Sequence, residues 1–150
     1  MKKLLLIILV SLVTVAGFTQ PKTPATFSYE AKKKAADVYE IIITATIQKP
    51  WHLYSQRTDK GGPIPTKITF KANPLVKFTG KVVEKGKLEK IFDKTFGVNV
   101  LYFSNTVQFV QTVKIKPGIK TNIGGIIEFM VCDDKECLPP KKQSFEVKLS

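Results

Sequence analysis

From Phe27 onward the apolar positions of this chain recur with a period of two. Phe27, Tyr29 and Ala31 alternate with Ser28, Glu30 and Lys32, and Tyr39, Ile41, Ile43, Ala45 and Ile47 alternate with Glu40, Ile42, Thr44, Thr46 and Gln48. The same beat returns at Ile68 and Phe70, at Val76 and Phe78, and at Val107, Phe109, Val113 and Ile115. It continues at Ile127, Phe129 and Val131, then at Phe145, Val147 and Leu149. Strict alternation places one face of each strand on a core and the other in water. Breaker clusters punctuate the runs: Lys60-Gly61-Gly62-Pro63, Ala72-Asn73-Pro74, Lys85-Gly86, Pro117-Gly118 and Gly124-Gly125. Seven or more short strands with no convincing amphipathic helix predict an all-β antiparallel sandwich in a single domain. Ala31 to Ala36 reads as a lysine-rich hairpin connection. Lys87 to Val100 has no clean period, and its Phe92 and Phe96 suggest a loop packed onto something.

The first residues follow another rule. Lys2 and Lys3 precede an apolar run from Leu4 to Val15, broken by Ser11 and Thr14, and small residues follow at Ala16, Gly17 and Thr19. This is the layout of a secretory signal peptide, with an apolar stretch too short to span a bilayer comfortably. Residues 1–19 are expected to be the leader, cut after Ala16 or Thr19, and 20–150 the domain; an uncleaved anchor is the alternative. No later segment is apolar enough to insert stably in a membrane. The remaining chain, about 130 residues, is long enough to bury its own core.

The formal net charge is +12. Arg57 is the only arginine, and arginine is the residue that reads phosphates and bases bidentately. The lysines instead interleave with apolar residues, as in Lys67-Ile68-Thr69-Phe70-Lys71 and Val113-Lys114-Ile115-Lys116. That pattern is a solvated sheet face that also resists edge-to-edge aggregation. No nucleic-acid partner is expected, and at most a weak attraction to acidic partners or anionic surfaces.

The chemistry rests on the only two cysteines, in Met130-Val131-Cys132-Asp133-Asp134-Lys135-Glu136-Cys137-Leu138-Pro139-Pro140. Cys132 falls opposite the Ile127, Phe129 and Val131 face, toward the outside or under a covering loop. A four-residue connection is a common hairpin length, and it brings the two cysteines within disulfide reach. Closing so small a ring stabilises by only about 2 kcal/mol, the weak end for a disulfide. Spacing alone leaves two readings open: a structural staple, or a pair built for reversible thiol–disulfide exchange. Asp133, Asp134 and Glu136, opposed only by Lys135, disfavour thiolates, so reactivity would be governed by access. There is no Cys-x-x-Cys motif. A metal site would lack ligands, because His52 is the only histidine and lies far off in sequence. No cofactor is expected.

The segment from Cys132 to Pro140 resembles the N-terminal, envelope-facing domain of the thiol:disulfide interchange protein DsbD. Trp51-His52-Leu53-Tyr54-Ser55 and the Gly62-Pro63 turn with Pro65 add to the likeness, which covers essentially all of the chain after the leader. The resemblance implies an immunoglobulin-like sandwich in the periplasm with Cys132 and Cys137 as the active pair. Cys137 would form the mixed disulfide with the client and Cys132 would resolve it. Electrons would pass from a membrane thiol reductase to thioredoxin-like envelope proteins serving disulfide isomerisation or cytochrome maturation, a protein-disulfide reductase role. Asp93-Lys94-Thr95-Phe96-Gly97 would be a cap loop with Phe96 as its lid, Phe92 being the alternative, and Tyr54 would sit near the pair. Longer family members continue into a membrane domain and a thioredoxin-like domain; this sequence ends at Ser150, so the reductase is expected to be a separate protein. The rival is an exported binding module in which the disulfide is only a hairpin staple.

Overall fold

A computed structural model of the chain describes residues 23–94 and 96–150, so the leader and the first half of the Gln20 to Ala25 lead lie outside the described residues. Nine strands follow in order: β1 (Ala25–Lys33), β2 (Val38–Ile47), β3 (His52–Tyr54), β4 (Lys67–Phe70), β5 (Val76–Asp93), β6 (Val98–Ile115), β7 (Thr121–Phe129), β8 (Val131–Cys132) and β9 (Lys141–Leu149). Among the described residues there is no helix. One sheet runs β1-β2-β6-β3-β8 with β5 also on β6; the other is β4-β7-β9, and every pairing is antiparallel. The all-β sandwich expected from the alternation is what the chain forms.

The core lies between the sheets where that alternation points. Ile41, Ile43 and Ala45 of β2 meet Val107, Phe109 and Val113 of β6 across from Ile123 and Ile127 of β7 and Leu149 of β9, all nearly inaccessible. Gln111 takes the core-facing phase of β6 and is buried too. Its amide donates to the carbonyls of Thr79 (3.0 Å) and Thr112 (2.8 Å), which removes the cost of an unpaired buried amide.

Four expectations change. The β1–β2 connection is shorter than the lysine-rich stretch suggested, because β1 continues to Lys33 and the chain closes with Lys34 N–H on the Val38 carbonyl at 2.9 Å. Lys87 to Val100 is mostly regular hairpin rather than loop. β5 and β6 pair out to Asp93↔Val98, with register shifts between Thr79 and Val83 and between Gly86 and Leu88. Each shift changes which side chains face the core, which is why no single period runs through the segment. Lys85-Gly86 sits at the second shift and is not a turn. Gly124-Gly125 is not a turn either: both lie inside β7, between β4 and β9.

A buried carboxylate fixes where the long hairpin leaves the sandwich. Glu84 of β5, only 3% exposed at its side chain, accepts from Ser55 Oγ (2.7 Å), Gln56 N–H (2.7 Å) and Arg57 Nε (3.2 Å). The carboxylate thereby ties the segment after β3 to β5, and the chain's one arginine makes the ion pair.

Candidate redox site in the β3–β8 groove

The cysteine hairpin forms where the chain changes sheets. β7 ends at Phe129 in the three-stranded sheet, and one residue later β8 pairs with β3 in the other, as Leu53↔Val131 and His52↔Cys132. Asp133 then shapes the turn: its Oδ1 accepts from the N–H groups of Lys135 and Glu136, both at 2.8 Å, an Asx-type turn. Asp133 N–H donates to the Glu136 carbonyl (2.9 Å), and Leu138 N–H to the Val131 carbonyl (3.0 Å). Cys132 and Cys137 face each other across this hairpin, their Cα atoms 4.0 Å apart, and are joined as a disulfide.

The two sulfurs have unequal surroundings. Cys137 is exposed, while Cys132 is 3% exposed in a small cluster with Tyr54 and Val100, against which Val98, Tyr102 and Met130 pack. Cys132 therefore does point off the main core, but into a second, smaller one and not toward solvent.

Register explains which residues gather there. Directly paired antiparallel residues share a face. His52↔Cys132, Tyr54↔Tyr102, Tyr102↔Glu89, Val100↔Ile91 and Val98↔Asp93 therefore bring four strands to one surface. The result is an open groove of about 310 Å³ lined by His52, Tyr54, Asp93, Phe96 and both cysteines. A larger groove, about 860 Å³, opens beside β4 and β5 around Phe70, Phe78 and Arg57, and no cysteine lines it.

The β5–β6 hairpin tip forms one wall of the cysteine groove. Gly97 N–H donates to the Asp93 carbonyl (2.8 Å) and Phe96 N–H to Asp93 Oδ1 (3.3 Å). Gly97 has φ +66°, the left-handed turn conformation glycine adopts without a steric penalty. Phe96, 40% exposed, lines the groove. Phe92 pairs with Asn99, one residue out of phase with Ile91 and Asp93, and so faces the other way. Of the two phenylalanines, only Phe96 is placed beside the cysteines. Thr95, within the same tip, is outside the described residues.

The polar groups are arranged around the sulfurs as follows. Burial, with Asp93 and then Tyr102 adding to it, pushes the Tyr54 phenol up to about 12, so it remains a neutral hydroxyl. Tyr102 is also raised, first by burial and then by Glu89 and Asp134. Asp134 stands in solvent, 3.9 Å from His52 Nε2. Tyr54, Asp93, Asp133, Asp134, Glu136, Phe96 and Gly97 thus all belong to this hairpin pair or its groove. His52, Ile91, Val100 and Tyr102 were not anticipated in the site. One signal was available: His52 and Tyr54 flank Leu53, which is fully buried, so alternation puts both on the opposite face.

Fold and groove together define an immunoglobulin-like β-sandwich domain carrying a disulfide in an open, lined cleft. Residues 18–149 match the family of the N-terminal domain of the thiol:disulfide interchange protein DsbD, and the chain belongs to that family. No curated protein sequence matches it. Among solved structures it is similar to the N-terminal periplasmic domain of ScsB from Proteus mirabilis, at 14% identity and TM-score 0.58, over 85% of this chain and 48% of that one. The chain thus spans about half the length of that relative. It is also similar to the reduced DsbD N-terminal domain of Neisseria meningitidis, at 16% identity and TM-score 0.51, over 80% of this chain and 82% of that one. A third likeness is to the complex between the DsbD N-terminal and PilB N-terminal domains from the same organism, at 13% identity and TM-score 0.55, over 87% of each chain. These likenesses establish the fold. Family and disulfide together support a role in thiol–disulfide exchange in general terms.

Proposed function

We propose that this chain is an exported thiol–disulfide exchange protein of the periplasm, passing reducing equivalents through Cys132 and Cys137 to thioredoxin-like partners. In this reading residues 1–19 are the leader, residues 20–150 form the working domain, and a membrane thiol reductase restores the dithiol. The observation that carries the reading is the asymmetry of the pair: Cys137 is exposed at an open groove while Cys132 is buried directly behind it. Exchange proceeds through a mixed disulfide, which requires one sulfur a client can reach and a second held close to resolve it. Cys137 has the first property and Cys132 the second. Neither cysteine belongs to the main core, so the sandwich does not depend on the bond for its packing. A protein client is supported by the DsbD N-terminal domain solved in complex with a PilB domain.

The reduction potential tests this reading. An exchange-active pair titrates between about −120 and −270 mV, whereas a structural disulfide lies below about −300 mV. Alkylation of the protein equilibrated in glutathione or dithiothreitol buffers reads the value. A result below the exchange range would return the pair to the role of a hairpin staple in a binding module.

The hairpin tip from Asp93 to Gly97 acts as the cap in this proposal, with Phe96 as its lid. Phe96→Ala is expected to speed alkylation of the reduced pair several-fold. Phe92→Ala, altering a side chain on the opposite face, leaves the rate unchanged. Equal rates for wild type and Phe96→Ala would remove Phe96 from the cap.

A further inference from the structure

We propose that His52 is the proton carrier of the exchange cycle: it takes the proton of the Cys132 thiol as that sulfur resolves the mixed disulfide, and returns it to the departing client thiolate. The inference rests on the exchange reading above and adds a residue to it. Its basis is position. His52 and Cys132 are direct partners on β3 and β8, so their side chains leave the same face of the sheet, with Cβ atoms about 5 Å apart in such a pair. The imidazole is held from two sides. Its ring lies against Tyr102 (centroids 4.6 Å apart), and Nδ1 is 3.2 Å from Ser104 Oγ. In the tautomer whose Nδ1–H donates to Ser104, Nε2 is the basic nitrogen. That nitrogen faces the cysteine connection, 3.9 Å from Asp134 Oδ1.

The surroundings of Cys132 explain why a carrier is needed. Burial among Tyr54, Val100 and Met130 disfavours a thiolate there, and Asp134 and Glu136 on the connection add negative charge. The other groups in the groove are poorly matched to the task. Tyr54 and Tyr102 hold their protons too tightly. Carboxylates such as Asp93 on β5 and Asp134, and Glu89 behind Tyr102, are weaker bases than an imidazole and accept poorly from a thiol. Lys135 is a cation in solvent. Histidine is the side chain whose proton moves near neutral pH, and His52 is the only one in the chain.

The cycle balances. The Cys137 thiol gives its proton to solvent, the thiolate bonds to one client sulfur and breaks the client disulfide, and the freed client sulfur takes a proton from solvent. Cys132 then loses its proton to His52 Nε2, and its sulfur attacks Cys137. The Cys132–Cys137 bond forms, the Cys137–client bond breaks, and the imidazolium protonates the second client sulfur. Two electrons pass from the dithiol to the client disulfide, and His52 ends neutral. Asp134 stabilises the imidazolium in between.

A symmetric nitrobenzoate disulfide separates the two steps, releasing one coloured thiolate on attack by Cys137 and a second on resolution by Cys132. In the reduced full chain, His52→Gln is expected to leave the first release unchanged and to slow the second about a hundredfold near pH 7. The wild-type rate of the second release should carry a pH dependence that the variant lacks. His52→Phe, which keeps the ring packing on Tyr102, should behave like His52→Gln. A second release with wild-type rate and pH profile in His52→Gln overturns the proposal. So does loss of the first release in both variants, which would mean the ring only shapes the site. A wild-type protein that never makes the second release would instead overturn the exchange reading itself.

Discussion

Cys137→Ser is expected to abolish transfer of reducing equivalents to a protein disulfide, and Cys132→Ser to convert the same reaction into a stable mixed disulfide through Cys137. The two outcomes differ because the sulfurs occupy different places. Cys137 follows the Asp133 turn and is exposed, so a client sulfur can reach it. Cys132 is 3% exposed under Tyr54 and Val100, where a small thiol hardly enters and a protein does not. Without Cys137 no first bond forms; without Cys132 the first bond has no nearby thiol to break it. Either variant gives up a disulfide that closes only a short ring, at a cost of about 2 kcal/mol. The core between β2, β6, β7 and β9 contains neither sulfur, so both variants are expected to remain folded. Denaturing gels without reductant, run after incubation with envelope extract, give the readout. Adducts on Cys137→Ser instead of Cys132→Ser would reverse the order of attack.

Gly125→Ala is expected to destabilise the fold by at least about 2 kcal/mol, seen as a lower denaturant midpoint. Gly125 lies in β7 opposite Phe70 of β4 and Phe145 of β9. A Cβ there would come within 2.5 Å of Phe145 Cζ and 2.7 Å of the Thr69 carbonyl oxygen. Neither neighbour can yield cheaply. The Phe145 ring is stacked on Tyr29 (5.2 Å) and meets Phe70 edge-on (5.6 Å), while the Thr69 oxygen belongs to the β4 backbone. Gly124→Ala is the control. Its Cβ would approach Lys71 Cδ and the Phe145 carbonyl at 3.4 Å, and the lysine chain can move aside. Equal midpoints for the two variants would show that β7 shifts to accommodate the methyl group.

The aromatic cover over Gly125 also explains a misreading of the sequence. A glycine pair usually marks a turn, yet here it makes room for Phe145 inside a three-strand sheet, a use that depends on a residue in another strand. The same holds at Lys85-Gly86. A Cβ on Gly86 would approach the Thr106 carbonyl at 3.1 Å and Phe103 Cδ1 at 3.3 Å, so the glycine marks close packing against β6. Phe92 and Phe96 could not be told apart along the chain because two register shifts lie between them and the regular part of β5. His52 went unassigned because its partner Cys132 joins it only through the β3–β8 pairing.

What the sequence determines by itself is local. Side-chain alternation has a period of two whatever the partner strand, so Ile41 to Ile47 and Phe145 to Leu149 declare their buried faces without knowledge of the fold. The cysteine ring is local as well, because one hairpin and its Asp133 turn bring the sulfurs together. The segment from Cys132 to Pro140, which carries most of the resemblance to the family, is local for the same reason. Tertiary structure decides everything that passes from strand to strand. It places Cys132 under Tyr54, sets His52 against it, turns Phe96 toward the groove and Phe92 away, and lets the chain cross between sheets at Met130. The reason is register: shifting a pairing by one residue reverses every face, and register is settled by bulges and packing across the whole sandwich.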